Sequence, residues 1–390
     1  MVETGIPKLD EYLHGGIPKG KSLIYMNHPG VEGDVFGMQS LYHNLLKGGT
    51  CIYITSSSNP SLVKDQFREF GWSIENYMDN LQIIDSYSSL VGDLSMEKYV
   101  VSDPEDIDSL TEVIHRAMKD VPKGSVVLYG SLSTIMDLCG EEETLKAVKL
   151  WNKLATLYEH VLIFNFTVWP YEESTLNAVK NEIFNSVISV GGIAERVIFG
   201  QYFGVLKADW TEVRAKSMLF RILRPGGIKI YIPKILVTGP FDAGKSAFVH
   251  SISTRAISVD RLGTTIALDH GHIDYKGFSA DIFGTPGQER FDPIIKMISG
   301  EAMGIFLVVD STAPKDFVRA KQMLEITKVY GLPYVIVANK QDLPGAMSPD
   351  EIRHQFNIPE DVPIVPAVAT NKQGVYEAFE ILVEKITGGK

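Results

Sequence analysis

Two tandem α/β domains, each a three-layer α/β/α sandwich around a mostly parallel sheet, are predicted by three features of this sequence. Its 390 residues, 45% of them apolar, exceed what one hydrophobic core organises. Strand-length apolar runs alternate with stretches of helical period along both halves, as in sheets built with crossover helices. A glycine-rich segment, KILVTGPFDAGKSAF, stands between an apolar strand and a helix at the opening of the second half.

Along residues 1–233 the elements follow in order. SLIYMNH reads as a strand, DVFGMQSLYHNLLK as a helix, TCIYITS as a strand, SLVKDQFREFGW as a helix and LQIID as a strand. A long helix near 105–119 leads to the strand SVVLYG. The acids Glu141, Glu142 and Glu143 fall where a helix begins, where the positive end of its dipole favours them. After the turn RPGG at Arg224 to Gly227 the half runs through GIKIYIP into the next strand without a flexible linker.

This half resembles the RecA-like ATPases of the KaiC type over nearly its whole length. TGIPKLDEYLHGGIPKG corresponds to the family's N-terminal signature, PGVEGDVFGMQSLYHNLLKGG to its ATP loop and following helix, SVVLYGSLS to its Walker B strand, and the closing stretch from AERVIFGQYFGVLKADW to GGIKIYIP to its last β-hairpins. The parts that handle ATP are missing together. Glu32, Gly33, Asp34 and Val35 occupy the region needing Lys and Ser or Thr, Gly130 replaces the Walker B aspartate, and Ser57 and Ser58 replace the catalytic glutamates. An acidic loop repels phosphate: at 4 Å and an effective dielectric near 20, a unit charge pair is worth about 4 kcal/mol. The expectation is a pseudo-ATPase that serves as a regulatory, partner-binding or oligomerisation platform.

Residues 234–390 carry intact nucleotide motifs. Gly239, Gly244, Lys245 and Ser246 satisfy G-x-x-x-x-G-K-S, so that loop N–H groups and Lys245 face phosphate and the Ser246 hydroxyl is available to Mg²⁺. Asn339, Lys340 and Asp342 in VIVANKQD spell the guanine motif; the Asp342 carboxylate accepts from guanine N1–H and its amino group, whereas adenine offers it an acceptor. The segment resembles the Ras-like small GTPases, closest to the Arf and Rab branches and the prokaryotic MglA-like branch. The resemblance implies a nucleotide lined by Gly239, Asp242, Ala243, Gly244, Lys245, Ser246, Ala247, Gly287, Asn339, Lys340, Asp342, Ala369 and Thr370. Ala369 would offer its N–H to the guanine oxygen. Thr265 falls at the switch threonine that joins Ser246 on Mg²⁺, and Gln288 at the glutamine that orients the attacking water. Arg261 lies near where G-protein α subunits carry a catalytic arginine, one residue further away, and reads either as that arginine or as a solvated loop residue.

One departure stands out. The family's D-x-x-G aspartate, which holds Mg²⁺ through water, is Gly284 here, and Asp281 lies an odd number of residues back, on the opposite strand face. His270 and His272 share one face of a strand. With no Cys nearby and no Glu at helical spacing, a surface or partner contact is favoured over a metal pair.

A formal charge of −11 and a pI near 5.4 disfavour nucleic acid as a partner. The two cysteines, Cys51 and Cys139, read as small apolar residues in a reducing compartment. No apolar run approaches 18 residues. No signal, prenylation cysteine or N-terminal glycine marks a membrane anchor, and a cytoplasmic location is expected. The combined reading is a GTP/GDP- and Mg²⁺-dependent switch, pointing to an archaeal source and hydrolysing GTP slowly. Its rival is a non-hydrolysing guanine-nucleotide scaffold, and an ATP-driven assembly factor ranks third. Neither the effector nor the activating protein can be read, and homo-oligomerisation stays open.

Overall fold

The computed structural model describes residues 1–193, 196–197, 202–213, 217–258, 269–275, 278–299, 302–328 and 331–386. The chain divides into two compact units, Met1–Tyr231 and Ile232–Lys390. Each is a three-layer α/β unit, as the alternation of apolar runs predicts.

In the first unit, a ten-stranded sheet has the five strands Ser22–Asn27, Val161–Thr167, Val126–Tyr129, Cys51–Thr55 and Leu81–Asp85 side by side and parallel at its centre. Tyr99–Val100 closes one edge. Ser186–Val190 pairs with Ser22–Asn27 on the other side, and the hairpin strands Tyr202–Ala208, Ser217–Leu223 and Gly227–Tyr231 continue from it antiparallel. Strand alternation sorts the core into two layers. Tyr25 and Tyr53 face the helices Asp34–Leu46 and Pro60–Glu69, where Phe36 lies 5.3 Å from the Tyr25 ring and Phe67 6.1 Å from the Tyr53 ring. Ile24, Ile52 and Tyr129 face the helices Ile107–Asp120, Leu132–Cys139 and Glu141–Tyr158. There the Tyr129 ring stacks between Phe164 at 4.1 Å and Trp151 at 4.9 Å. The Trp151 indole N–H is satisfied by the Thr111 hydroxyl at 3.1 Å. The helix carrying Trp151 opens on Glu141, Glu142 and Glu143, where the sequence placed a helix start.

The second unit has a seven-stranded sheet. Lys234–Thr238 lies between Phe278–Gly284 and Ala302–Asp310, both parallel to it; Tyr334–Asn339 and Ile364–Pro366 extend one side. On the other side Asp269–Tyr275 and Arg255–Ser258 run antiparallel. Leu307, Val309, Ile336 and Ala338 pack against the helices Phe317–Lys328 and Pro349–Phe356. On the opposite face, Phe306 meets Phe248 of the helix Lys245–Ile252 at 5.0 Å. The carboxyl ends of the parallel strands therefore share one rim, and Gly239, Asp310 and Asn339 sit there, the usual place for a ligand in such sheets.

Among the described residues, no helix is long and apolar enough to cross a membrane. Cys51 and Cys139 carry free thiols, Cys51 buried in its strand. Trp151→Ala is expected to destabilise the chain by about 3–5 kcal/mol, the range for deleting a large buried aromatic, as read from urea denaturation.

Candidate nucleotide sites

In the second unit the glycine-rich loop leaves the strand Lys234–Thr238 and enters the helix Lys245–Ile252. Two of its glycines are obligatory. Gly239 has φ +148° and a Cβ there would overlap the Val308 carbonyl; Gly244 has φ +89° and a Cβ there would overlap the Asn339 side chain. Asn339, buried at the end of its strand, uses both ends of its amide: Nδ2 donates to the Ala243 carbonyl at 3.0 Å, and Oδ1 accepts from the Ala369 N–H at 2.9 Å. The structure thereby brings the phosphate loop, the N-K-x-D segment and the Ala369 turn together around one side chain.

Lys245 is almost fully buried and donates to the Pro240 carbonyl at 2.6 Å. Burial pulls its amine down to about 8, opposed by the carboxylates of Asp269 and Asp242. Ser246 is exposed at the first turn of the helix, with Ala247 half-buried beside it. Lys340, at φ +64°, ion-pairs with Asp310 at 2.7 Å and with Asp242 at 3.5 Å. Asp342 and Thr370 are exposed at the same rim. Gly287 packs directly on the backbone of Pro240 and Phe241, so that any side chain there would overlap the loop. Exposed Gln288 follows it, its Oε1 accepting from Arg290 Nε at 3.1 Å. Thr265 and Arg261 lie outside the described residues.

Asp269 was not among the residues singled out from the sequence. It pairs directly with Gly284 across the antiparallel ladder. A Cβ built on Gly284 would lie 3.1 Å from the Asp269 Cβ and 3.4 Å from its Oδ2, and 3.1 Å from Val249. The Asp269 carboxylate therefore borders the space into which a side chain at 284 would project. Asp281, as its odd offset required, faces elsewhere: its carboxylate lies 2.8 Å from His272 Nδ1 and 3.9 Å from His270 Nε2. The two histidines do share one face, and they meet an aspartate rather than a third histidine or a cysteine.

The corresponding loop of the first unit is filled by its own side chains. Asn27 ends the strand Ser22–Asn27, and its Oδ1 lies where a Cβ on Gly33 would be; its Nδ2 donates to Asp34 at 3.0 Å. Asp34 opens the helix, and desolvation pushes its carboxyl up to about 6 although part of the side chain meets solvent. Glu32 is ion-paired with Arg224, whose guanidinium also lies over the Phe70 ring. At Gly130 the Tyr53 hydroxyl stands 2.8 Å from where a Cβ would be. A lysine at 33 or an aspartate at 130 thus meets an occupied position.

The chain matches the family model "ATPase: KaiC" over residues 2–235 and that of the ADP-ribosylation factor (Arf) family over residues 228–386. A UPF0273 protein of Saccharolobus solfataricus is 35% identical over 137 residues, 34% of this chain and 49% of its own length. One from Thermotoga maritima is 34% identical over 130 residues, 33% of this chain and 54% of its own. The chain spans about half the length of the curated relatives it matches. A solved KaiC-like protein from Pyrococcus horikoshii OT3 is 23% identical, with 59% of this chain and 98% of that one covered at a TM-score of 0.48.

The raised Asp34 carboxyl makes a pH prediction. Its neutral form is favoured in the folded state, so its contribution to stability is full below pH 4 and is lost as pH rises through about 6. Asp34→Asn should stabilise the chain at pH 7 by about 1 kcal/mol, less than the full shift would give because solvent screens this exposed residue, the gain shrinking toward pH 4 when urea midpoints are compared across that range.

Proposed function

The chain belongs to the KaiC ATPase family and continues into an Arf-family domain; from that premise we propose that it is a guanine-nucleotide switch. The second unit binds GTP and hydrolyses it slowly to GDP and phosphate. The first unit is a catalytically silent platform for regulation or partner binding. The observation that carries this reading is the double hydrogen bond of Asn339, which sets the guanine motif and the phosphate loop in one rigid arrangement before any ligand arrives.

In this reading Asp342 selects guanine, the Ala369 N–H meets its carbonyl oxygen, and Lys340 flanks the base. The loop from Gly239 to Gly244 wraps the phosphates with its N–H groups, and Lys245 exchanges the Pro240 carbonyl for a phosphate oxygen. Gln288 leaves Arg290 to orient the attacking water. The donor set also fits Mg²⁺: Ser246 presents an exposed hydroxyl at the helix start, and Asp269 holds a carboxylate beside the space left by Gly284. With Thr265 completing the set, the ion would neutralise charge on the β- and γ-phosphates. In the first unit, the closed loop and the anions Glu32 and Asp34 support the silent-platform reading.

Intrinsic turnover on the order of 10⁻⁴ to 10⁻³ per second is expected for a Ras-like site without an activator. Phosphate release from GTP under single-turnover conditions with Mg²⁺ should show this rate in the intact chain and fall at least roughly tenfold in Gln288→Leu. Bound guanine nucleotide with no release from either protein would sink the hydrolase reading in favour of the scaffold. For Asp269→Asn, retention of a fluorescent GDP titrated with Mg²⁺ should lose most of its Mg²⁺ dependence while Mg²⁺-free binding persists. An unchanged Mg²⁺ midpoint would exclude Asp269 from the ion's surroundings.

A further inference from the structure

We infer that Asp242 sets the lifetime of the bound nucleotide, so that the second unit exchanges GDP for GTP without an exchange partner. The inference rests on the reading of this site as one for a guanine nucleotide.

A phosphate-binding loop works by presenting N–H dipoles and a lysine to an anion, and a carboxylate inside the loop opposes both. Asp242 is such a carboxylate. It lies two residues before Gly244, at φ +61°, with its side chain 83% exposed on the ligand rim. The cation nearest to it is committed elsewhere. Lys340 stands 3.5 Å from Asp242 but 2.7 Å from Asp310, which is much less exposed. Asp310 is itself fixed by the Thr312 N–H at 2.8 Å and the Thr312 hydroxyl at 2.7 Å. The longer, more exposed contact is the weaker one, because water screens it. Asp242 also acts on Lys245, the lysine that must serve the phosphates, by stabilising its charged form toward itself.

Around the loop stand the cations Lys245 and Lys340 and the carboxylates Asp242, Asp269 and Asp310. Two of these carboxylates have other work: Asp310 holds Lys340, and Asp269 faces the Gly284 space. Asp242 alone lies within the phosphate loop itself, and a bound diphosphate meets it as a like charge. Repulsion of this kind raises the dissociation rate, since it is relieved when the nucleotide leaves. The occupant then follows the GTP:GDP ratio of the surroundings, and hydrolysis at Gln288 becomes the step that a partner must control.

The test loads the full chain with a fluorescent GDP in Mg²⁺ and chases it with excess unlabelled GDP. Asn tolerates the left-handed conformation at 242 and keeps the side-chain shape, so Asp242→Asn removes the charge with little else. Release should slow by roughly tenfold or more in Asp242→Asn, and the gap should narrow as salt rises and screens the repulsion. Glu360→Gln, which removes an exposed charge away from the loop, should release at the unaltered rate. Equal release from Asp242→Asn and the unaltered chain, with GDP still retained by both, would overturn the inference and leave the site reading intact. Failure of both to retain labelled GDP would overturn the site reading and the inference together.

Discussion

The amide of Asn339 is the contact on which the second unit's rim depends. An amide presents a donor and an acceptor on opposite sides, and here the donor takes the Ala243 carbonyl while the acceptor takes the Ala369 N–H. Aspartate would lose the donor and face a carbonyl with an anion; glutamine would displace both bonds by a methylene. The same amide dictates a glycine in another motif, because any Cβ at 244 would overlap Asn339 Nδ2. Two sequence motifs almost a hundred residues apart are therefore one packed unit.

The two units place similar loops at similar strand ends and part ways over charge. In the first, Glu32 and Asp34 stand near the helix start. Glu32 is answered by Arg224 and Asp34 by the Asn27 amide, so the loop's two carboxylates are already partnered within the unit. Asn27 and Tyr53 fill the positions where a lysine and an aspartate would project. In the second, Lys245 is buried against nothing stronger than a carbonyl, a hydrogen bond that a phosphate oxygen replaces at a gain. The contrast lies in which side chains are already satisfied.

Most of the architecture was legible because it rests on periodicity and on motifs whose spacing encodes backbone geometry. The strand runs, the acidic helix start at Glu141 and the closing hairpins all reappear, and both loops fall between a strand and a helix. Asp269 escaped notice because its role depends on pairing across a ladder, which adjacency along the chain hides. A signal was present: Tyr275 and Phe278 pair with two residues between them, and counting outward from that pair puts 269 opposite 284. The same counting sets Asp281 opposite His272, which a search for Cys or helically spaced Glu could not find. The plugging of the first unit's loop by Asn27 was illegible for another reason. Nothing in its neighbours along the chain says which way a strand-end amide turns.

Moving the carboxylate from position 284 to position 269 changes what the ion would feel. At 284 the aspartate of related GTPases opens the segment that leads to the glutamine, so ion binding and glutamine position share one stretch of backbone. At 269 the carboxylate stands on the neighbouring antiparallel strand, tied to 284 through the ladder and the contact of side chain with glycine. The run from Gly284 to Gln288 is anchored instead by Gly287 against the phosphate loop and by the Gly287 carbonyl, which accepts from Arg319 Nε at 3.4 Å. Arg319 also grips Asp292, through Nη1 at 3.2 Å. On the proposed reading an ion would bias the strand Asp269–Tyr275, while the position of Gln288 follows the phosphate loop and Arg319. If the unit acts as the proposed switch, its two halves would then answer to different parts of one ligand, the metal on one side and the phosphate on the other.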